Sequence, residues 1–142
     1  MYIPGFVGRT LLSLGAMLYC STALSSDLSI RLSGLEQIKG EVLVVVYDSA
    51  TGMKNHQAFK TDIKAVTEKN MLIHFTDVPE GEYAVMVYQD LDGNKKLNRN
   101  LIGIPNEPYG FSNNPSLMGP PRFEQLRFQQ TKLGQVLNIS LN

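Results

Sequence analysis

The stretches EVLVVVYD, residues 41–48, and EYAVMVYQ, residues 82–89, decide the fold. In the first, Val42, Val44 and Val46 fall on one face of an extended chain, and Leu43, Val45 and Tyr47 fall on the other. A strand that is apolar and β-branched on both faces must be covered on both, which places it in the middle of a sheet. The second run has the same character, so the two are expected side by side at the centre.

Outward from this pair, the remaining apolar runs alternate with period two. Leu28, Ile30 and Leu32 mark a first strand over Asp27–Leu32, and Met71, Ile73 and Phe75 mark another that ends at the turn DVPEGE, residues 77–82. Ser33–Gly40 and Ser49–Asn55 are polar, small and turn-forming. Gln57–Lys69 mixes Phe59, Ile63 and Val66 with polar residues and predicts a short edge strand around Asp62–Val66, with a helical turn as the alternative. Phe123–Phe128 and Val136–Leu141 complete the set, the last with Leu137, Ile139 and Leu141 toward the core. The expected fold is therefore all-β: a seven-stranded immunoglobulin-like or transthyretin-like β-sandwich without a helix and with one long ordered loop.

The 142 residues, 43% apolar and 18% charged, suit one globular domain. Residues 1–25 have the layout of a secretory signal peptide: one charge at Arg9, an apolar run from Leu11 to Leu24, and Ala23 and Ser25 at the small −3 and −1 positions for cleavage before Ser26. That run is shorter than the ~20 residues a bilayer span requires. Cys20 follows Tyr19, too bulky for a lipidation site, and is expected to leave with the leader. The mature domain, residues 26–142, would then enter a periplasmic or extracellular space without any cysteine, stabilised by packing rather than disulfides. Of the 13 Lys and Arg only Arg9 lies in the leader, so 12 remain against 13 acidic residues, a net charge of −1. Nothing in that balance favours nucleic acid or an anionic membrane, and no second apolar segment is long enough to span one.

Between the second central strand and Phe123 lies a connection of about 30 residues, against roughly 2–5 for a hairpin. It carries Leu97, Leu101, Ile102, Ile104, Tyr109 and Phe111, enough apolar surface to fold back on the sandwich as an ordered loop. Its first half places Asp90, Asp92, Asn94 and Asn98 at relative positions 1, 3, 5 and 9, with the Lys96 carbonyl at position 7. This is the odd-position spacing by which calcium loops gather oxygen ligands. Position 6 is Lys95 where glycine is usual, and position 12 is Leu101 where a bidentate glutamate belongs, so Glu107 would have to reach in from the far end. Two readings stand: a calcium site from Asp90, Asp92, Asn94, Lys96, Asn98 and Glu107, or a plain turn in which the acidic side chains bond local amides. The second half, GIPNEPYGFSNN, residues 103–114, offers either a recognition surface of Asn106, Tyr109, Phe111, Ser112, Asn113 and Asn114 for a sugar or peptide, or an aromatic plug for the open end of the sandwich.

The run GEYAVMVYQDLDGNKKLNRNLIGIPNEPYGFSNN, residues 81–114, followed by GPPRFE, residues 119–124, resembles the signature of the bacterial domain of unknown function 2141 family. The matching positions are Asp90, Asn94, Leu97, Gly103, Ile104, Pro105, Tyr109, Gly110, Phe111, Ser112 and Asn113. This chain has Gln89, Lys95 and Asn98 where family members commonly have histidine, glycine and aspartate, which lowers the charge of the calcium-like half. The resemblance implies an exported immunoglobulin-like sandwich and supplies no activity.

Reaction chemistry is sparse. The mature chain has no cysteine nucleophile, no G-x-S-x-G, and only His56 and His74, which form neither HxH nor HExxH. A carboxylate pair of Asp90 with Asp92 or Glu107, as in a small hydrolase acting on glycans, is the one catalytic reading these residues allow. The expectation is a non-enzymatic binding or interaction module that presents residues 89–114 to a protein, peptide or glycan of the cell envelope, with calcium as its one candidate cofactor.

Overall fold

The computed structural model describes residues 25–142. The signal peptide expected over residues 1–25, with Cys20 in it, lies outside the described residues except for Ser25. Two sheets face each other. One has three strands in the order β4 (Met71–Pro79), β1 (Ser25–Ser33), β8 (Gln135–Ser140). The other runs β3 (Lys60–Ala65), β2 (Glu41–Tyr47), β5 (Gly81–Asp90), β6 (Tyr109–Phe111), and β7 (Phe128–Gln130) also pairs with β5. All pairs are antiparallel except β1 with β8. Among the described residues no helix is long and apolar enough to cross a membrane.

The two doubly apolar runs are neighbours, with Val44 opposite Val87 and Val46 opposite Val85. Their inward side chains meet Leu28, Ile30 and Leu32 of β1, Ile73 and Phe75 of β4 and Ile139 of β8 in one buried cluster. Each such aliphatic side chain contributes roughly 1.5–3 kcal/mol over leaving it in water. The outward faces are buried too. Tyr47 and Ala84 pack with Phe123 and Leu126, with Val45, Met53, Met86 and Phe111 at the margin. This second cluster lies under two short helices, α1 (Ala50–Lys54) and α2 (Phe123–Leu126).

Several expectations are corrected here. Among the described residues there are eight strands against the seven expected, and two helical turns where no helix was expected. Phe123–Phe128 is not a strand: Phe123 and Leu126 are buried at i, i+3 on α2, and β7 begins only at Phe128. Ser49–Asn55 contains α1, capped by the Ser49 hydroxyl, which accepts from the Gly52 amide at 3.1 Å. β4 continues through the expected turn to Pro79, with Asp77 at a φ of 56° close to where the register with β1 shifts. The edge strand expected around Asp62–Val66, by contrast, is present as β3, Lys60–Ala65, at the sheet edge.

β6 closes one side of the sandwich. The Tyr109 amide donates to the Asn142 carbonyl at 3.3 Å, and the Asn142 amide returns a bond to the Tyr109 carbonyl at 3.0 Å. Between Tyr109 and Phe111 the chain runs so close to β8 that a Cβ on Gly110 would sit 2.7 Å from the Ser140 carbonyl oxygen and 2.8 Å from Ile139 Cγ2. Gly110→Ala should therefore push the two sheets apart and cost about 1–3 kcal/mol, read as a lower urea midpoint. An unchanged midpoint would show that the seam is loose.

Candidate functional site

Asp90 ends β5 on the face opposite the core, and the polypeptide reverses immediately after it. Its carboxylate is buried, and it accepts from the amides of Gly93 at 2.8 Å and Asp92 at 3.3 Å through Oδ1, and of Lys95 at 2.7 Å through Oδ2. The reversal needs left-handed backbone at Gly93, φ 80°, and at Lys95, φ 58°. Lys95 thus holds the conformation for which calcium loops use glycine at position 6. The Tyr88 hydroxyl, from the same face of β5, donates to the Lys95 carbonyl at 2.9 Å and fixes the far side of the turn.

Glu107 comes from the other end of the insert and is also buried. Its Oε1 accepts from the Leu91 amide at 2.9 Å and its Oε2 from the Asn98 amide at 3.0 Å, so one carboxylate straps both limbs of the turn together. Asp92 is exposed and takes the Asn94 amide at 3.1 Å through Oδ1, and the Asn94 and Asn98 side-chain amides at 3.1 and 2.7 Å through Oδ2. The Lys96 amide donates to Asn94 Oδ1 at 2.7 Å. One oxygen each from Asp90, Asp92 and Glu107 lie within 4.8 Å of one another. The expected ligands Asp90, Asp92, Asn94, Asn98 and Glu107 are therefore brought to one place, and Lys96 is joined to them through Asn94.

Burial by itself would raise the pKa of Asp90, but the amides of Lys95, Gly93 and Asp92 outweigh it, and the carboxyl is held below its ordinary value. Tyr88 moves the other way: burial pushes its hydroxyl up, and the charges of Asp90 and Glu107 and the nearby Tyr47 push it further.

Beyond the turn, Asn98–Asn106 is a hairpin that closes on itself. The Asn106 amide donates to the Asn98 carbonyl and the Asn100 amide to the Ile104 carbonyl, both at 2.8 Å, and Asn100 Oδ1 accepts from the amides of Ile102 at 3.1 Å and Ile104 at 2.9 Å. With its polar groups satisfied internally, the hairpin has no need to lie on the sandwich. Leu101 is fully exposed, Ile102 is 79% and Ile104 54% exposed, contrary to the expectation that they fold back. Leu97, Tyr109 and Phe111 are half-buried, and the last two rings meet edge-on at 5.5 Å between centroids.

The expected recognition surface divides. Ser112 is fully buried, its hydroxyl donating to the Leu126 carbonyl at 2.6 Å and accepting from the Val85 amide at 2.9 Å, which takes it out of any surface. Asn113 and Asn114 are exposed, but their side-chain amides donate to the carbonyls of Arg127 and Asn138, both at 2.9 Å. Both have positive φ, which asparagine tolerates better than most residues. These residues clamp the loop to α2 and β8. Asn106, Tyr109 and Phe111 keep accessible surface.

Above β5 and β6 the hairpin and the segment 117–121 form the walls of a trough. One compartment, about 580 Å³, is lined by Leu97, Ile102, Ile104, Tyr109, Phe111 and Met118; a second, about 440 Å³, lies beside Tyr47, Met53 and Phe123, and Met86, Arg99, Pro120 and Pro121 line both. Neither Arg99 nor Met118 stands out in the sequence. Only the topology that folds the insert over β5 brings them to one place.

The profile of a family described as an uncharacterized protein conserved in bacteria (DUF2141) matches residues 30–136. The chain belongs to that family. The DUF2141 match spans the sandwich from β1 into β8 and includes both the carboxylate-strapped turn and the trough. No curated protein and no solved structure matches the chain.

In calcium-free buffer, the depressed pKa of Asp90 has a pH signature. A carboxyl whose folded pKa lies below its unfolded one adds stability that is full above the unfolded pKa and is lost as pH falls through the folded pKa. The melting temperature of this DUF2141 protein should therefore fall below about pH 4. Asp90→Asn should flatten that fall while lowering stability at neutral pH, and a parallel acid limb in the variant would contradict the assignment.

Proposed function

We propose that this chain is an exported, non-catalytic binding module that presents the 89–114 segment, with a calcium ion held at its base. The observation that carries the reading is the hairpin tip, where Leu101, Ile102 and Ile104 stand in solvent on a segment otherwise bonded to itself and to the sheet. Apolar groups displayed on a fixed support are what a partner-binding surface requires.

Calcium is supported by the chemistry of the base: Asp90, Asp92 and Glu107 bring one carboxylate oxygen each within 4.8 Å of one another, and Asn94, Lys96 and Asn98, bonded among themselves on the same turn, carry further oxygens. A hard divalent cation would relieve the mutual repulsion of three carboxylates crowded within 4.8 Å. The non-catalytic reading is supported by the state of Asp90. A general acid for glycoside cleavage has a raised pKa, whereas Asp90 is lowered and fully engaged by amides, and it is shut off from solvent.

Two measurements test the proposal. Millimolar calcium should raise the melting temperature by several degrees, and Glu107→Gln should reduce that rise; no shift in the wild type would remove the ion. Replacing Leu101 and Ile102 with serine should abolish capture of the partner while leaving the melting temperature within a degree or so, because neither side chain is buried. Undiminished capture by the double variant would remove the hairpin from the function.

A further inference from the structure

The ligand class of this surface follows from the trough, an inference that rests on the binding-module reading. We propose that the trough binds a single acyl chain whose anionic head pairs with Arg99.

The first compartment, about 580 Å³, and the second, about 440 Å³, each fall within the range of small-ligand sites, roughly 300–1,000 Å³. Arg99 and Met86 line both compartments, so a chain lying in the first has its head group at Arg99, beside the second. The walls of the first are aliphatic or aromatic, with the Arg99 guanidinium as its one charged group. Ile102, Ile104 and Met118 form exposed lips that an apolar chain would cover.

Charge selects the head group. Lys54, Arg99 and Arg122 line the second compartment against one carboxylate, Glu124, an excess of two positive charges among its Lys, Arg and Glu residues. Arg99 belongs to neither of the ion pairs found among the described residues, Lys64 with Asp62 and Arg127 with Glu82. Its Nη1 donates only to the Gly103 carbonyl of its own hairpin, at 3.1 Å, which leaves most of the guanidinium donors for an anion.

Peptide and glycan suit the trough less well. β5 is already paired on both sides, to β2 and to β6 and β7, so its backbone offers no edge for an added strand. The side-chain amides of Asn113 and Asn114 are spent on the carbonyls of Arg127 and Asn138. Sugar hydroxyls would find few partners.

Isothermal titration of the full mature chain with dodecanoate, kept below micelle formation, tests the proposal, with dodecanol as the uncharged control. Saturable one-to-one binding of dodecanoate is expected. Arg99→Gln should weaken dodecanoate about tenfold and leave dodecanol unchanged, and Ile104→Asp should abolish both. Both positions are exposed, and an unchanged melting temperature verifies each fold. Absence of saturable dodecanoate binding would overturn the proposal, as would an Arg99→Gln effect that is nil or equal for both ligands. Saturable binding of a hexasaccharide or an unstructured peptide in place of dodecanoate would assign the trough to another occupant and overturn it equally. Partner capture is read separately on the wild type and on the Leu101→Ser, Ile102→Ser variant. If capture still depends on those two residues where dodecanoate fails, the trough inference falls and the binding-module reading stands.

Discussion

Two buried carboxylates, Asp90 and Glu107, hold the backbone amides of the turn that follows β5, and the arrangement of the long insert depends on them. Between them they accept from Leu91, Asp92, Gly93, Lys95 and Asn98. A backbone donor removed from water without a partner costs about 1–3 kcal/mol, so a tight turn against a sheet needs acceptors supplied by side chains. Asp90 reaches them locally, and Glu107 reaches them from the return limb. Once both limbs are strapped, the residues between them close as the hairpin that walls the trough above β5 and β6.

That geometry also explains why β2 and β5 are apolar on both faces. Their inner side chains build the core shared with β1, β4 and β8. Their outer side chains need a second cover, which comes from α1, α2 and the returning β6. Ser112 joins these layers, since it bonds both to Val85 on β5 and to the end of α2 at Leu126. The cover is incomplete over Met86, Tyr109 and Phe111, and the trough lies there.

Much of this was legible in the sequence where the signal is local. Period-two alternation locates β1, β4 and β8, and the doubly apolar runs identify the adjacent central pair. The odd-position spacing of Asp90, Asp92, Asn94 and Asn98 likewise marks a turn rich in oxygen. Phe123–Phe128 misleads because Leu126 and Phe128, two apart, fit one face of a strand, while Phe123 and Leu126, three apart, fit one helical turn. Gln125, whose Oε1 accepts from the Arg122 amide at 3.1 Å, is the local cue that favours the helix. Leu101, Ile102 and Ile104 mislead for a different reason: composition says that apolar residues seek cover, but Asn100 and Gly103 let the hairpin close on itself before any cover is reached. Arg99 carries no local signal, and Glu107 is marked only by the missing carboxylate at position 12, because both roles exist only once distant segments have met.

Carboxylates, rather than water, hold the amides of the turn. Amide hydrogen exchange followed by NMR tests this most directly. The amides of Leu91, Gly93, Lys95 and Asn98 should exchange far more slowly than open-chain amides, and Glu107→Ala should release Leu91 and Asn98 while leaving the β5 amides of Val85 and Val87 protected. Exchange of those four amides at open-chain rates in the unmodified protein would contradict the account.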